Sequence, residues 1–143
     1  MTRSTAFRAT LMCDCCTIGP TLIASPPAIW DGLLETARRL NSPPGCYGFI
    51  FPGRESGLFG TFFELAEMAR ARLFPEDLVP DIQNAGGRWA LEFLRTCYTE
   101  GLTPRELPDW HYDQVHECFR SGHAAMLGDW PGYSDPTKAM KAA

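Results

Sequence analysis

Two stretches of this 143-residue sequence place a flat ring beside charged groups. One is Phe51 followed by Pro52, Gly53, Arg54 and Glu55, and the other is Asp129-Trp130-Pro131-Gly132-Tyr133. The pairing suits a polyhydroxylated ligand, whose C–H faces stack on a ring while its hydroxyls hydrogen-bond to charged groups. For Trp130 the residues alone leave two readings open, a stacking platform or a cap on the hydrophobic core. His111, His116 and His123 lie close in sequence but form no HExxH-type pair, and solvated helix-end positions are the commoner outcome for such residues. Cys13-Asp14-Cys15-Cys16 has no second CxxC or neighbouring His to complete a tetrahedral zinc set, so no metal is expected. The cysteines read as free thiols, with Cys97 and Cys118 as small buried apolar side chains, although in an exported chain an even count would permit disulfides of unspecified pairing. Without a GxSxG, Walker or GxGxxG motif, nucleophile-elbow, P-loop and dinucleotide readings lack support, and no cofactor is expected. An enzyme is the weakest reading.

The elements that would position these groups are partly legible. Trp30, Leu33, Leu34, Ala37 and Leu40 form an apolar stripe at helical spacing, ended by Asn41, Pro43, Pro44 and Gly45. Residues 47–51, short and aromatic between Pro-Gly pairs, read as a buried strand that leads into a loop over 52–57. Leu58, Phe59, Phe62, Phe63, Ala66 and Ala69 predict a strongly apolar helix over 58–72. Asn84 stands as an N-cap before a helix containing Trp89, Phe93, Leu94 and Cys97, with Gly101 as its C′ residue. Tyr112, Val115 and Phe119 mark a short helix ended by Gly122, and residues 124–127 read as a small strand. The order helix, strand, helix, helix, helix, strand is helix-dominated α/β, and in open α/β sheets the loops after strand carboxyl ends line the ligand crevice. Residues 1–24 show no useful periodicity.

The length, with 13 Lys+Arg against 17 Asp+Glu and 45% hydrophobic residues, fits one ordinary folded domain. A net charge of −4, with no basic block, argues against nucleic acid as a partner. No apolar run approaches the roughly 18 residues of a membrane span, and no export signal is recognisable near Met1.

Ser25-Pro26-Pro27-Ala28-Ile29-Trp30-Asp31-Gly32-Leu33-Leu34-Glu35-Thr36-Ala37 resembles the PP-x-T-W-D-E-L-x-x-A-A segment of sugar-type extracellular solute-binding proteins of ABC transporters. Tyr47-Gly48-Phe49 is similar to that family's post-helix strand, and Ala90-Leu91-Glu92-Phe93-Leu94 to its AL-x-F-L helix. Phe119-Arg120-Ser121-Gly122-His123-Ala124-Ala125-Met126-Leu127-Gly128-Asp129-Trp130 is similar to its F-x-x-G-x-A-A-M-x-x-x-x-W, with three residues in place of four before the tryptophan. Four pieces in register span residues 25 to about 133. The departures are Ile29 at the family's N-cap threonine, Gly32 at the following glutamate, and Arg70-Ala71 where a glycine often follows the large helix.

The resemblance implies a helix-rich single α/β lobe of a periplasmic-binding-protein-like fold, incomplete or completed by dimerisation. It corresponds to a middle segment, mostly second lobe, of a two-lobed clam. Residues 25–143 form the lobe, and residues 1–24 are an unrelated or disordered N-terminal segment. The implied function is non-enzymatic carbohydrate or oligosaccharide recognition. Trp130 is then the stacking platform with Asp129 and Tyr133 beside it, Arg54 and Glu55 are polar contacts from the loop after Phe51, and Phe59 closes the apolar side. The implied partners are a sugar, the membrane permease for the full-length parent, and a second copy as homo-oligomer. The parent family is periplasmic or extracellular, whereas this chain as expressed is read as cytoplasmic. A self-associating structural module without a small ligand is the alternative.

Overall fold

The apolar stripe beginning at residue 30 forms helix α1 (Trp30–Leu40), which buries Leu33 and Ala37 and leaves Arg38 and Arg39 exposed. The computed structural model describes residues 16–18, 30–76 and 79–128. Asn41 ends α1 and ties it to two other segments. Its Nδ2 donates to the Gly101 carbonyl at 3.1 Å, and its Oδ1 accepts from the Gly48 N–H at 3.1 Å. Arg38 adds a two-pronged ion pair with Glu100 at 2.6 and 2.7 Å. That contact raises the guanidinium pKa and lowers the carboxyl pKa, but at an exposed site it contributes little.

The aromatic run at 47–51, read as a strand, bends at Gly48 and pairs in parallel with residues 123–128 only through isolated bridges. Tyr47 N–H donates to the His123 carbonyl and Ala125 N–H to the Tyr47 carbonyl, each at 2.8 Å. Ile50 N–H reaches the Met126 carbonyl at 3.0 Å, and Gly128 N–H reaches the Ile50 carbonyl at 2.9 Å. Between these, Phe49 N–H turns to the Leu102 carbonyl at 3.2 Å, so the contact is two bridges, Tyr47 with Ala124 and Ile50 with Leu127, in place of a continuous strand. Strand β1 (Cys16–Ile18) pairs antiparallel with β2 (Met126–Gly128) in the register Cys16 to Gly128 and Ile18 to Met126. Since Leu127 faces Thr17 on one edge and Ile50 on the other, β2 is central.

Helix α2 (Glu55–Met68) differs from its expected span at both ends. It starts inside the expected 52–57 loop, with Leu58 N–H closing the first turn on the Arg54 carbonyl at 3.2 Å. The inward position of that turn is Gly57, where a Cβ would lie 2.5 Å from Pro52 Cβ, so no apolar side chain advertises the buried face. At the other end Arg70 takes a left-handed φ of 58°. Arg70 N–H bonds the Glu67 carbonyl at 2.8 Å and Ala71 N–H bonds the Ala66 carbonyl at 2.9 Å. This is a Schellman ending with arginine in glycine's place. Leu73 is buried from the following loop, not from the helix.

Helix α3 (Ala85–Thr99) is capped as expected, with Asn84 Oδ1 accepting from Gly87 N–H at 2.9 Å. Gly101 at φ 69° and Gly122 at φ 79° give α3 and α4 (Tyr112–Arg120) the same ending that Arg70 gives α2. A short 3-10 turn at Leu107–Asp109 precedes α4. Helices α2 and α3 pack on one another, and α4 packs on β2. Phe49 centres the core, 5.9 Å from both Phe51 and Phe93 and edge-on to the latter.

Two stability changes follow. Left-handed backbone costs an L-residue about 1–2 kcal/mol, partly offset by glycine's looser unfolded state, so Arg70→Gly should stabilise by about 0.5–1 kcal/mol in urea denaturation. Thr103 is 2% exposed and its hydroxyl has no hydrogen-bond partner among the described residues, so Thr103→Val should raise stability by about 1 kcal/mol, and a loss would show that the hydroxyl is satisfied in solution.

Candidate functional site

The carboxyl ends of the parallel pair lie side by side at Phe51 and Gly128, because Gly128 N–H is bonded to the Ile50 carbonyl at 2.9 Å. From Phe51 the chain turns through Pro52 and Gly53 into α2. Gly53 N–H donates to the Trp110 carbonyl at 2.9 Å, and a Cβ on Gly53 would fall 1.9 Å from the Leu107 carbonyl oxygen. Only a residue without a side chain lets the 52–54 turn lie against the 107–110 turn. The close approach fixes where Arg54 and Glu55 stand.

Arg54 is the N-cap residue of α2 but its side chain does not cap the helix. The guanidinium instead bonds the neighbouring Glu55 carboxylate, with Nε 3.0 Å from Oε1. Glu55 reaches it from a left-handed φ of 54°. The contact lowers the Glu55 carboxyl pKa and raises that of Arg54, so both are charged around neutral pH. The Gly53–Trp110 bond brings the 107–112 stretch to the same mouth, where Asp109 favours the charged form of Arg54 and His111 that of Glu55. His111 meets Tyr112 edge-on at 4.4 Å, and the Tyr112 ring would stand 3.5 Å from a Cβ on Gly57. His111 N–H is held by Gln114 Oε1 at 2.9 Å, fixing the start of α4.

The structure therefore brings Arg54 and Glu55 together at the strand end. Phe59, 56% exposed, stands one helical turn beyond Glu55 and packs against Phe63 at 6.2 Å. Phe51 is 3% exposed and belongs to the core, not to an open surface. Asp129, Trp130 and Tyr133 lie outside the described residues, as do the side chains of the Cys13 to Cys16 cluster. Sequence reasoning missed Asp109, His111 and Tyr112 at this mouth. The available signal was the Pro104 and Pro108 turn that directs α4 toward it.

The mouth offers a preformed ion pair, an exposed ring and exposed hydrogen-bonding groups, which is equipment for holding a polar ligand. Thiol chemistry finds little support among the described cysteines. Burial raises the Cys97 pKa to about 12 and also lifts those of Cys46 and Cys118, so all three are protonated near neutral pH. Among the described residues no three His, Cys, Asp or Glu side chains gather into a metal-holding group, and no helix is long and apolar enough to cross a membrane.

No family model and no curated protein sequence matches the chain. Solved structures do. Maltose-bound MalE3 of T. maritima matches 76% of the chain at 25% identity and a TM-score of 0.67. An ABC transporter solute-binding protein from Agrobacterium radiobacter K84, in complex with ribitol, matches 79% at 24% identity and a TM-score of 0.66. The chain spans 28% and 30% of those two proteins, under a third of their length. It has the fold of part of a sugar-type ABC-transporter solute-binding protein, as a single helix-rich α/β lobe.

Replacing Gly53 by Ala should cost about 1–3 kcal/mol through the clash with the Leu107 carbonyl, read as a lower urea midpoint at unchanged slope. An unchanged midpoint would mean that the two turns separate freely.

Proposed function

We propose that the chain is a non-enzymatic carbohydrate-recognition lobe of an ABC-importer solute-binding protein, working with a membrane permease as part of an exported parent. The observation that carries this reading is the match to MalE3 in its maltose-bound form, supported by the match to a ribitol-bound solute-binding protein. In this reading Trp130 stacks on the sugar face and Asp129 and Tyr133 bond its hydroxyls. Arg54 and Glu55 approach from the neighbouring strand end, and Phe59 shields the apolar side.

The pairing of Arg54 with Glu55 suits the task. Each group already holds the other in place, so little side-chain order remains to be lost when hydroxyls bond to the pair. A sugar held by one lobe forfeits the contacts and the water exclusion that a second wall supplies, so the expected affinity is only millimolar.

Tryptophan fluorescence during titration with maltose, ribitol and a panel of oligosaccharides tests the reading. A saturable change is expected, abolished by Trp130→Ala and weakened about tenfold by Arg54→Ala, the loss of one hydrogen bond to a charged group. Silence from the folded protein across the panel would remove the carbohydrate reading, whereas binding unaltered in Trp130→Ala would remove only its central residue.

A further inference from the structure

A groove of about 530 Å³ runs along α4, away from the strand-end mouth and toward the amino ends of the parallel pair. Its floor is ring and thiol surface from the half-buried Tyr47, Trp110 and Cys118. Its rim carries Asp113 and Glu117, exposed and four residues apart, so both carboxylates stand on the same face of α4 on successive turns. Asp113 makes no hydrogen bond or ion pair among the described residues. Glu117 shares its charge with Arg120 at 3.2 Å, in an exposed i,i+3 contact that solvent screens. No lysine or arginine lines the groove. At the far end Ser121 Oγ and His123 Nδ1 are taken up with one another at 2.8 Å.

The volume falls within the roughly 300–1,000 Å³ of small-molecule sites. The lining then selects among ligand chemistries. An anion would face two carboxylates. A polyol would lose hydration against a floor of rings and a thiol that returns few hydrogen bonds. A cation with an apolar body meets both needs, since aromatic faces attract the charge and the carboxylates neutralise it. We propose that this groove is a second ligand site, distinct from the strand-end mouth, that takes a small organic ammonium ion with an aromatic or aliphatic body. Trp110 stands between the two sites. Its carbonyl holds Gly53 at the mouth, while its side chain lines the groove.

Calorimetric titration with 2-phenylethylammonium, and with 2-phenylethanol as the uncharged counterpart, tests the site. The ammonium ion should bind saturably and the alcohol at least about fivefold more weakly, the factor expected from about 1 kcal/mol of cation–aromatic and carboxylate attraction. Asp113→Asn, an isosteric change at an exposed position, should weaken the ammonium ion about fivefold, and Trp110→Leu at least as much. Arg54→Ala should leave it unchanged, and saturating maltose should not displace it, so failure here and failure of the carbohydrate reading are separable. Absence of saturation by the ammonium ion, equal binding of the alcohol, unaltered binding in Asp113→Asn, or displacement by maltose would each overturn the proposal.

Discussion

Everything in this lobe hangs on the parallel contact between residues 47–50 and 123–128. Phe49, Ile50, Phe51 and the run Ala124, Ala125, Met126 and Leu127 are all at most 3% exposed, so their backbone N–H and C=O groups have no water to turn to. The cross-chain bonds take up Ile50 N–H and C=O, Ala125 N–H and Met126 C=O, Phe49 N–H turns to Leu102, and an unmade bond there would leave a buried polar group at a cost of about 1–3 kcal/mol. Parallel neighbours cannot be joined by a tight turn. The chain between them must cross over, and here it uses three helices to do so. The helices cover the apolar surface that the paired segments present. The mouth exists because both segments end at the same edge.

Helix endings provide the second layer of order. Three successive helices stop by the same pair of backbone bonds around a left-handed residue, and each ending serves a different purpose. At Gly101 the released carbonyl is caught by Asn41, which brings the end of α1 to the end of α3. At Gly122 the ending turns the chain straight into His123, whose carbonyl opens the parallel pairing by accepting from Tyr47. At Arg70 it swings the chain so that Leu73 drops into the core. Side-chain chemistry at the mouth is thus a consequence of backbone geometry well away from it.

Sequence made visible whatever depends on one residue's own preferences. The amide of Asn84 and the missing side chains of Gly101 and Gly122 announce helix boundaries, and the structure has them there. The stripe of α1 and the aromatic run at 47–51 were legible for the same reason. What stayed hidden depends on neighbours. The first turn of α2 is invisible because its inward position is a glycine packed on Pro52. The end of α2 is misplaced because Arg70 adopts glycine's conformation. Strand β1, with three residues, is too short for alternation to register. Arg54 and Glu55 were singled out by their place after residues 47–51, and the structure sets them where that stretch turns into α2. His111 and Tyr112 arrive more than fifty residues downstream, through a turn that Pro104 and Pro108 mark but whose meeting with Arg54 and Glu55 no local pattern encodes. Phe51 shows the converse: its place in a buried run was legible and is what the structure has, and it was the ligand contact expected of its ring that the burial excludes.

The long crossover also sets a timetable for a chain made from its amino end. Residues 47–51 leave the ribosome well before residues 124–128 exist. At about 5–20 residues per second, a stretch of this length keeps them waiting roughly 4–15 s for backbone partners. Throughout that interval Tyr47-Gly48-Phe49-Ile50-Phe51 is an uncharged, aromatic, strand-forming segment with both edges open. Helices α2 and α3 emerge during the wait and can pair with one another, since their contacts are local and need nothing from β2. Vectorial synthesis therefore asks the helices to shelter the strand before its partner arrives, which gives the apolar surface of α2 a protective task ahead of its place in the finished core.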